Sequence, residues 1–184
     1  MTLRQLFSNL FLASAILSIA LSLAGESSGQ LLGRRSTRYE LSESEFVCRG
    51  KKLSLPFTMD RLEEVLGPPD RSLELANTIH VWDREGVFVY VGQGETNVKQ
   101  VSFSIRPEDF EFTPKKQFSS DIIIPGGRVH KGSTREYLAK LGYEEDYVPS
   151  IVGRDAGKHR IRVEFDDTGT VLSVTFSVRE NVEE

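Results

Sequence analysis

The feature that most constrains this chain is an internal repeat. Thr58-Met59-Asp60-Arg61-Leu62-Glu63-Glu64-Val65-Leu66-Gly67 parallels Ser133-Thr134-Arg135-Glu136-Tyr137-Leu138-Ala139-Lys140-Leu141-Gly142. Further on, Gln100–Ile105 parallels Ser173–Val178. Gly142 follows Gly67 by 75 positions, and Phe176 follows Phe103 by 73. Two matches in the same order at nearly one offset imply a duplicated unit. Between them, Phe88-Val89-Tyr90 lines up with Ile161-Arg162-Val163 at the second offset.

Each half carries the same local logic. Thr58 and Ser133 stand as hydroxyl N-caps, able to accept from the free amides of a first helical turn. Ser133 with Glu136 also fits a capping box. Leu62, Val65 and Leu66 fall at helical spacing, as do Tyr137, Leu138 and Leu141. Gly67 and Gly142 can take the left-handed conformation that closes a helix, and Pro68-Pro69 stops the first one. After each helix come β-rich runs. Ile79–Trp82, Val87–Val91 and Val98–Ile105 are separated by Asp83-Arg84-Glu85-Gly86, which has the residues of a type I turn, and by the polar loop Gln93–Asn97. In the second half, Asp155-Ala156-Gly157 takes the place of the first turn. His159–Phe165 and Val171–Val178 flank Asp166-Asp167-Thr168-Gly169. The predicted fold is α+β, two similar units, each a short helix packed on an antiparallel β-meander of three strands. The first unit spans 46–112, a connection spans 113–130 and the second unit spans 131–184. Strands near Phe46–Val47, Lys52–Leu55 and Asp121–Ile124 are expected to extend the sheet. Phe110, Phe112 and Phe118 are too many aromatics for a free linker, so residues 106–120 are expected to pack on a sheet or between the halves.

The N-terminus sets the compartment. Arg4 precedes Leu10–Ala24, an uncharged apolar run, and Ser22-Leu23-Ala24 places small residues before Gly25, as a secretory signal peptide over residues 1–24 requires. The run is shorter than the ~20 residues of a membrane-spanning helix, and no stable span is expected after cleavage; the alternatives are an uncleaved anchor and a buried core helix. Residues 25–45, rich in Ser, Gly and charge, read as a flexible linker. The expected location is extracytoplasmic, periplasmic or secreted. A formal net charge of −4 argues against a nucleic-acid partner. Cys48 is the one cysteine, so no internal disulfide can form, and beside Phe46 and Val47 it reads as a small buried thiol.

No catalytic signature emerges. His80, His130 and His159 have no metal-ligand spacing. Asp166-Asp167 lies in a turn, and Glu144-Glu145-Asp146 lacks the oxygen-ligand spacing of a calcium loop. Neither a cofactor nor a metal is expected. Trp82 beside Asp83 is the most distinctive local feature. It has two readings: a strand tryptophan packed in the core, with Asp83 opening the turn, or an aromatic that binds a partner. The candidate binding residues are Trp82, Asp83 and Tyr90.

The stretch from Leu53 to Ile105 resembles a family of small, uncharacterised bacterial domains. The pattern is a helix ending Leu-Gly-x-Pro, then Trp-Asp-x-x-Gly and an apolar strand. Here these are Leu66-Gly67-Pro68-Pro69-Asp70-Arg71 and Trp82-Asp83-Arg84-Glu85-Gly86-Val87. That resemblance implies no activity. The tandem helix-plus-meander pattern is also similar to that of the beta-lactamase inhibitor protein and of small outer-membrane assembly lipoproteins, although the inhibitor family's disulfides are absent. This similarity implies an exported module that binds other proteins. The expected function is therefore an exported, non-catalytic, protein-binding module, inhibitory or assembly-related, acting on another exported or envelope protein. The alternatives are an extracytoplasmic hydrolase with a site assembled from distant residues, and a toxin-immunity protein.

Overall fold

The computed structural model describes residues 39–179. The expected signal peptide, and the linker up to residue 38, lie outside them. In chain order the elements are β1 (Tyr39–Leu41), β2 (Phe46–Cys48), β3 (Lys51–Leu53), β4 (Phe57–Thr58), α1 (Met59–Leu66), β5 (Arg71–Glu74), β6 (Asn77–Trp82), β7 (Val87–Gly92) and β8 (Asn97–Ser104). They continue with β9 (Ile122–Ile124), β10 (Gly127–Val129), α2 (Arg135–Lys140), β11 (Glu144–Glu145), β12 (Ile151–Ala156), β13 (His159–Phe165) and β14 (Val171–Val178). The fold is α+β and mostly sheet, with two short helices among the described residues.

The strands form two sheets. The larger runs β11-β12-β13-β14-β8-β7-β6-β5, with β4 also pairing β8. Period-two alternation gives it an inner face of Val87, Val89, Val101, Phe103, Ile161, Val163, Val174 and Phe176, all buried. The smaller sheet runs β10-β9-β1-β2-β3. Tyr39, Phe46, Phe57, Phe103 and Phe118 form the aromatic part of the core between the two sheets, with ring centroids 5.1–6.3 Å apart. Leu62 of α1 and Leu138 of α2 are buried in the same core.

Several expectations are corrected here. The strands expected near Phe46–Val47, Lys52–Leu55 and Asp121–Ile124 do not extend the main sheet, which gains only β4 from the segment before α1. Tyr39–Leu41 pairs antiparallel with β2 and parallel with β9, which gathers them into a sheet of their own. The linker expected over 25–45 therefore loses its last residues: Tyr39 and Leu41 are buried, and Ser42 and Glu45 close a turn into β2. Only two apolar residues alternate there, too few to signal a strand. The connection expected over 113–130 contains β9 and β10. Each meander has four strands, not three, because β5 and β11 join as short edge strands with little apolar content. The cap of α2 is Thr134, which accepts from Tyr137 N at 3.2 Å. Ser133 is buried and accepts from His130 N instead, closing the preceding turn. Thr58 takes the cap position of α1 but makes no side-chain capping bond. Gly67 and Gly142 both end their helices at positive φ, 83° and 79°.

Cys48 is free and buried, and burial pushes its thiol up to about 12. Trp82 is 2% exposed and packs in the main core. Its indole N–H donates to Gly67 O at 2.8 Å, so the strand that follows the helix also satisfies a carbonyl at that helix's end.

Candidate interaction surface

The outer face of the large sheet differs along its width. Across β5 to β7 it is apolar: Ile79, Val81 and Phe88 are buried in a second, smaller core with Leu73, Tyr90 and Phe112. Phe112 belongs to residues 106–120, which fold back over this face. Phe118 turns to the other side and joins the main core.

Asp83 fixes that fold-back. It is buried, and its carboxylate accepts from Arg71 Nε at 3.2 Å and from the backbone N–H of Lys115 at 3.0 Å. Its carbonyl accepts from Lys116 N. Arg71 also donates to the carbonyls of Glu111 (2.6 Å) and Thr113 (2.8 Å), so one ion pair holds the middle of the strap, from Glu111 to Lys116. Burial works to raise the Asp83 carboxyl, but the Arg71 hydrogen bond, the Lys115 amide and the two cationic charges outweigh it and hold it below the usual carboxylate range. Of the sequence candidates, then, Trp82 has its surface and its N–H taken up inside the fold. Asp83 is spent on Arg71 and the strap.

Tyr90 stands where the covered part ends. It is half-buried, with its ring 5.7 Å from Phe88 and 6.1 Å from Phe112. Burial, then the charges of Glu108 and Glu164, raise its phenol above the usual value. Burial and Glu164 likewise hold the Glu108 carboxyl high.

Beyond Tyr90 the outer face is uncovered and polar. Gln100, Ser102, Ser173, Thr175 and Ser177 make a floor of short side chains. Ser102 Oγ and Thr175 Oγ1 lie 3.1 Å apart across β8 and β14, and Ser173 Oγ donates to Glu164 at 3.2 Å. Beside this floor, Asp146 (side chain 6% exposed) accepts from Arg160 Nη2 and Arg162 Nε, both at 3.1 Å. Arg160 also donates to Asp155 at 2.6 Å, while its buried Nε has no partner. Burial opposes charge on Asp146, but the Tyr147 amide and the two arginines keep its carboxyl below the usual range. Open cavities of about 570 and 170 Å³ lie along this part of the face. Two aromatics are exposed: Tyr147, 89% exposed and next in the chain to Asp146, and Phe110, 55% exposed and stacked on Phe112 at 5.2 Å.

The histidines are dispersed. His80 bonds Ser72 at 2.8 Å, and His130 sits in the loop before α2. His159 is buried on the inner side, with its ring nitrogens against the carbonyls of Glu43 (3.1 Å) and Leu55 (3.3 Å). Asp166 is a turn residue, accepting from Thr168 N and Thr170 N and pairing with Arg106. No group of three or more His, Cys, Asp or Glu side chains arranged to hold a metal ion occurs among the described residues.

The model of a family described as Domain of unknown function (DUF7738) matches residues 39–138. The chain belongs to this family. The match begins at β1 and ends inside α2. It therefore takes in Trp82, Asp83 and Tyr90, while Asp146, Tyr147, Arg160 and Arg162 lie beyond it. No curated protein matches the sequence. A crystal structure of a DUF4309 family protein (YjgB) from Bacillus subtilis subsp. subtilis str. 168 is 13% identical, covers 66% of this chain and 78% of its own, and has a TM-score of 0.40. A likeness of that size carries nothing about function.

The sequence reading missed Phe110, Tyr147, Arg160, Arg162 and Asp146 as surface features. Arg160, Arg162 and Glu164 were visible as the polar partners of Ile161, Val163 and Phe165 in a strict alternation. Asp146 stood out only as the end of the acidic run Glu144-Glu145-Asp146, because its arginines come from a strand 14 and 16 positions away.

Proposed function

We propose that this chain is an exported, non-catalytic protein-binding module that engages another exported or envelope protein through the uncovered face of its large sheet, as an inhibitor or an assembly factor. The observation that carries the reading is the contrast along that face. One part is sealed by the strap, whose Phe110 is exposed, and the other is left open with two arginines and with exposed Tyr147 next to their partner Asp146. Arginine and aromatic side chains are the residue types that dominate binding energy at protein interfaces. Asp146 holds Arg160 and Arg162 in place, which lowers the entropy a partner must remove.

The reading includes internal duplication, of the tandem kind found in beta-lactamase inhibitor proteins and small assembly lipoproteins. Two observations support it. In each half one helix is followed by a four-stranded meander. At the junction β8 pairs β14 about Ser102↔Thr175, and these residues are 73 positions apart. The flanking pairs Phe103↔Val174 and Val101↔Phe176 then exchange under the same offset, as a two-fold relation between copies requires. The inner strands align one residue away from the sequence match. Val87↔Phe103 corresponds to Ile161↔Phe176, so Val87 and Val89, rather than Phe88 and Tyr90, are the counterparts of Ile161 and Val163.

The test is site-specific photo-crosslinking of the full chain in its native host, with the probe at Tyr147, at Phe110 and, as a control, at exposed Leu75. One common adduct from the first two positions is expected, lost on Arg162→Glu. Adducts equal to those of Leu75, or none, would sink the reading. N-terminal sequencing of the recovered protein is expected to begin at Gly25, and an intact Met1 in a soluble cytosolic form would remove the exported part of the proposal.

A further inference from the structure

A third open cavity, about 1110 Å³, lies away from the outer face, where Arg106, Ser119 and Ser120 meet Arg128, His130 and Lys131. Three permanent cations line it, Arg106, Arg128 and Lys131; two of them are paired, with Asp166 and Asp121, which leaves an excess of one positive charge in a chain whose formal net charge is −4. The arrangement is positioned on both sides. Asp121 holds the Arg128 guanidinium at 3.0 Å and Asp166 holds that of Arg106. Each guanidinium has five N–H donors, so most remain for a ligand. Lys131 makes no ion pair with the described residues.

His130 is the more telling group. The Gly132 N–H donates to His130 Nδ1 at 3.0 Å, which makes Nδ1 an acceptor and leaves the proton of the neutral ring on Nε2. A Cβ at Gly132 would meet that ring at 3.2 and 3.3 Å, so the ring packs closely over the glycine. Ser133 completes the turn: its hydroxyl accepts from His130 N at 3.1 Å, and its amide donates to His130 O at 2.9 Å. The loop thus presents an oriented N–H donor beside Arg128 and Lys131, with no protein acceptor on it.

We propose that this cavity binds a small ligand bearing more than one oxyanion group, phosphate or carboxylate. Cations face it from two chain segments, and the space is larger than one such group fills. Arginine pairs bidentately with the oxygens of either group, and the Ser119 and Ser120 hydroxyls can hydrogen-bond them. The site is independent of the outer-face interface.

The test is calorimetric titration of the full chain at fixed ionic strength with pyrophosphate, with citrate and with acetate. Saturable one-site binding of pyrophosphate or citrate is expected, with acetate much weaker, and the tighter of the two identifies phosphate or carboxylate as the source. Arg128→Ala with Lys131→Ala should weaken binding by about tenfold or more, and His130→Gln by a smaller factor, because charge-assisted bonds are the stronger ones. Lys99→Ala, on the outer face, should leave it unchanged. All four side chains are exposed, and an unaltered melting midpoint verifies the fold of each variant. Absence of saturable binding by both polyanions, or undiminished binding in the double variant, overturns the proposal.

Discussion

The two ends of the large sheet share one inner face and have opposite outer faces. On β6 and β7 the outward positions are Ile79, Val81, Phe88 and Tyr90. On β13 they are Arg160, Arg162 and Glu164. The inward residues of both, Val87 and Val89 against Ile161 and Val163, are equally buried. An outward apolar row needs a cover, and residues 106–120 supply it through Phe112, fastened by Arg71 and Asp83. An outward charged row needs no apolar cover, since water and the carboxylates of Asp146 and Asp155 serve its charges. The difference teaches that the inner face is set by the requirement for a core. The outer face is free to become a second core or a binding surface.

Three experiments sharpen or break that comparison. The largest effect is expected from Trp82→Ala, which removes an inner-face aromatic and the N–H that satisfies Gly67 O. A loss of about 3–5 kcal/mol in denaturant melts is expected. A loss under about half a kcal/mol, the range of exposed substitutions, would show that the inner face is not the common element.

Next comes Asp83→Asn, which leaves Arg71 without its carboxylate and loosens the strap. A cost of about 3 kcal/mol at neutral pH is expected, from breaking one side of a mostly buried pair. The sign of the pH dependence follows from a folded-state pKa below the unfolded one. The stabilisation is present above the ordinary carboxylate range and is lost as pH falls through the depressed value. Asp83→Asn should therefore flatten the acid limb of the stability–pH curve. An unchanged acid limb would mean that the strap is not held by this charge. Asp146, Asp166 and Glu136 have the same sign, so the residual slope is shared among them.

The smallest effect is expected from Glu108→Gln, at the border between covered and open regions. Burial and Glu164 disfavour its charge, so neutralising it should raise the melting midpoint slightly at pH 7, and the gain should vanish in acid. A lowered midpoint at pH 7 would place Glu108 in a favourable contact and erase that border.

Much of the fold was legible in the chain, and the reasons are local. The helices were visible from apolar spacing and closing glycines. The long strands were visible from alternation, and the Asp83–Gly86 turn from its residues. Short strands were not, because three residues such as Tyr39–Leu41 become a strand only when partners on both sides complete their hydrogen bonds. The cap at Thr134 rather than Ser133 was also undecidable locally, since either hydroxyl could face the first turn. Of the candidate site, Tyr90 alone lies at the open face. Trp82 and Asp83 were conspicuous because they are structurally demanding, and that demand is what buries them.

By itself the sequence determined the class of the main elements, their order and the alternation of the long strands, because apolar periodicity and turn chemistry act between near neighbours. Only the tertiary structure decided that the first strands make a separate sheet, that the strap covers one end of the outer face, and that Asp146 is held between Arg160 and Arg162. Those outcomes depend on pairings between residues far apart in the chain. Whether a side chain is covered is settled by which distant segment arrives over it, and no local pattern encodes that.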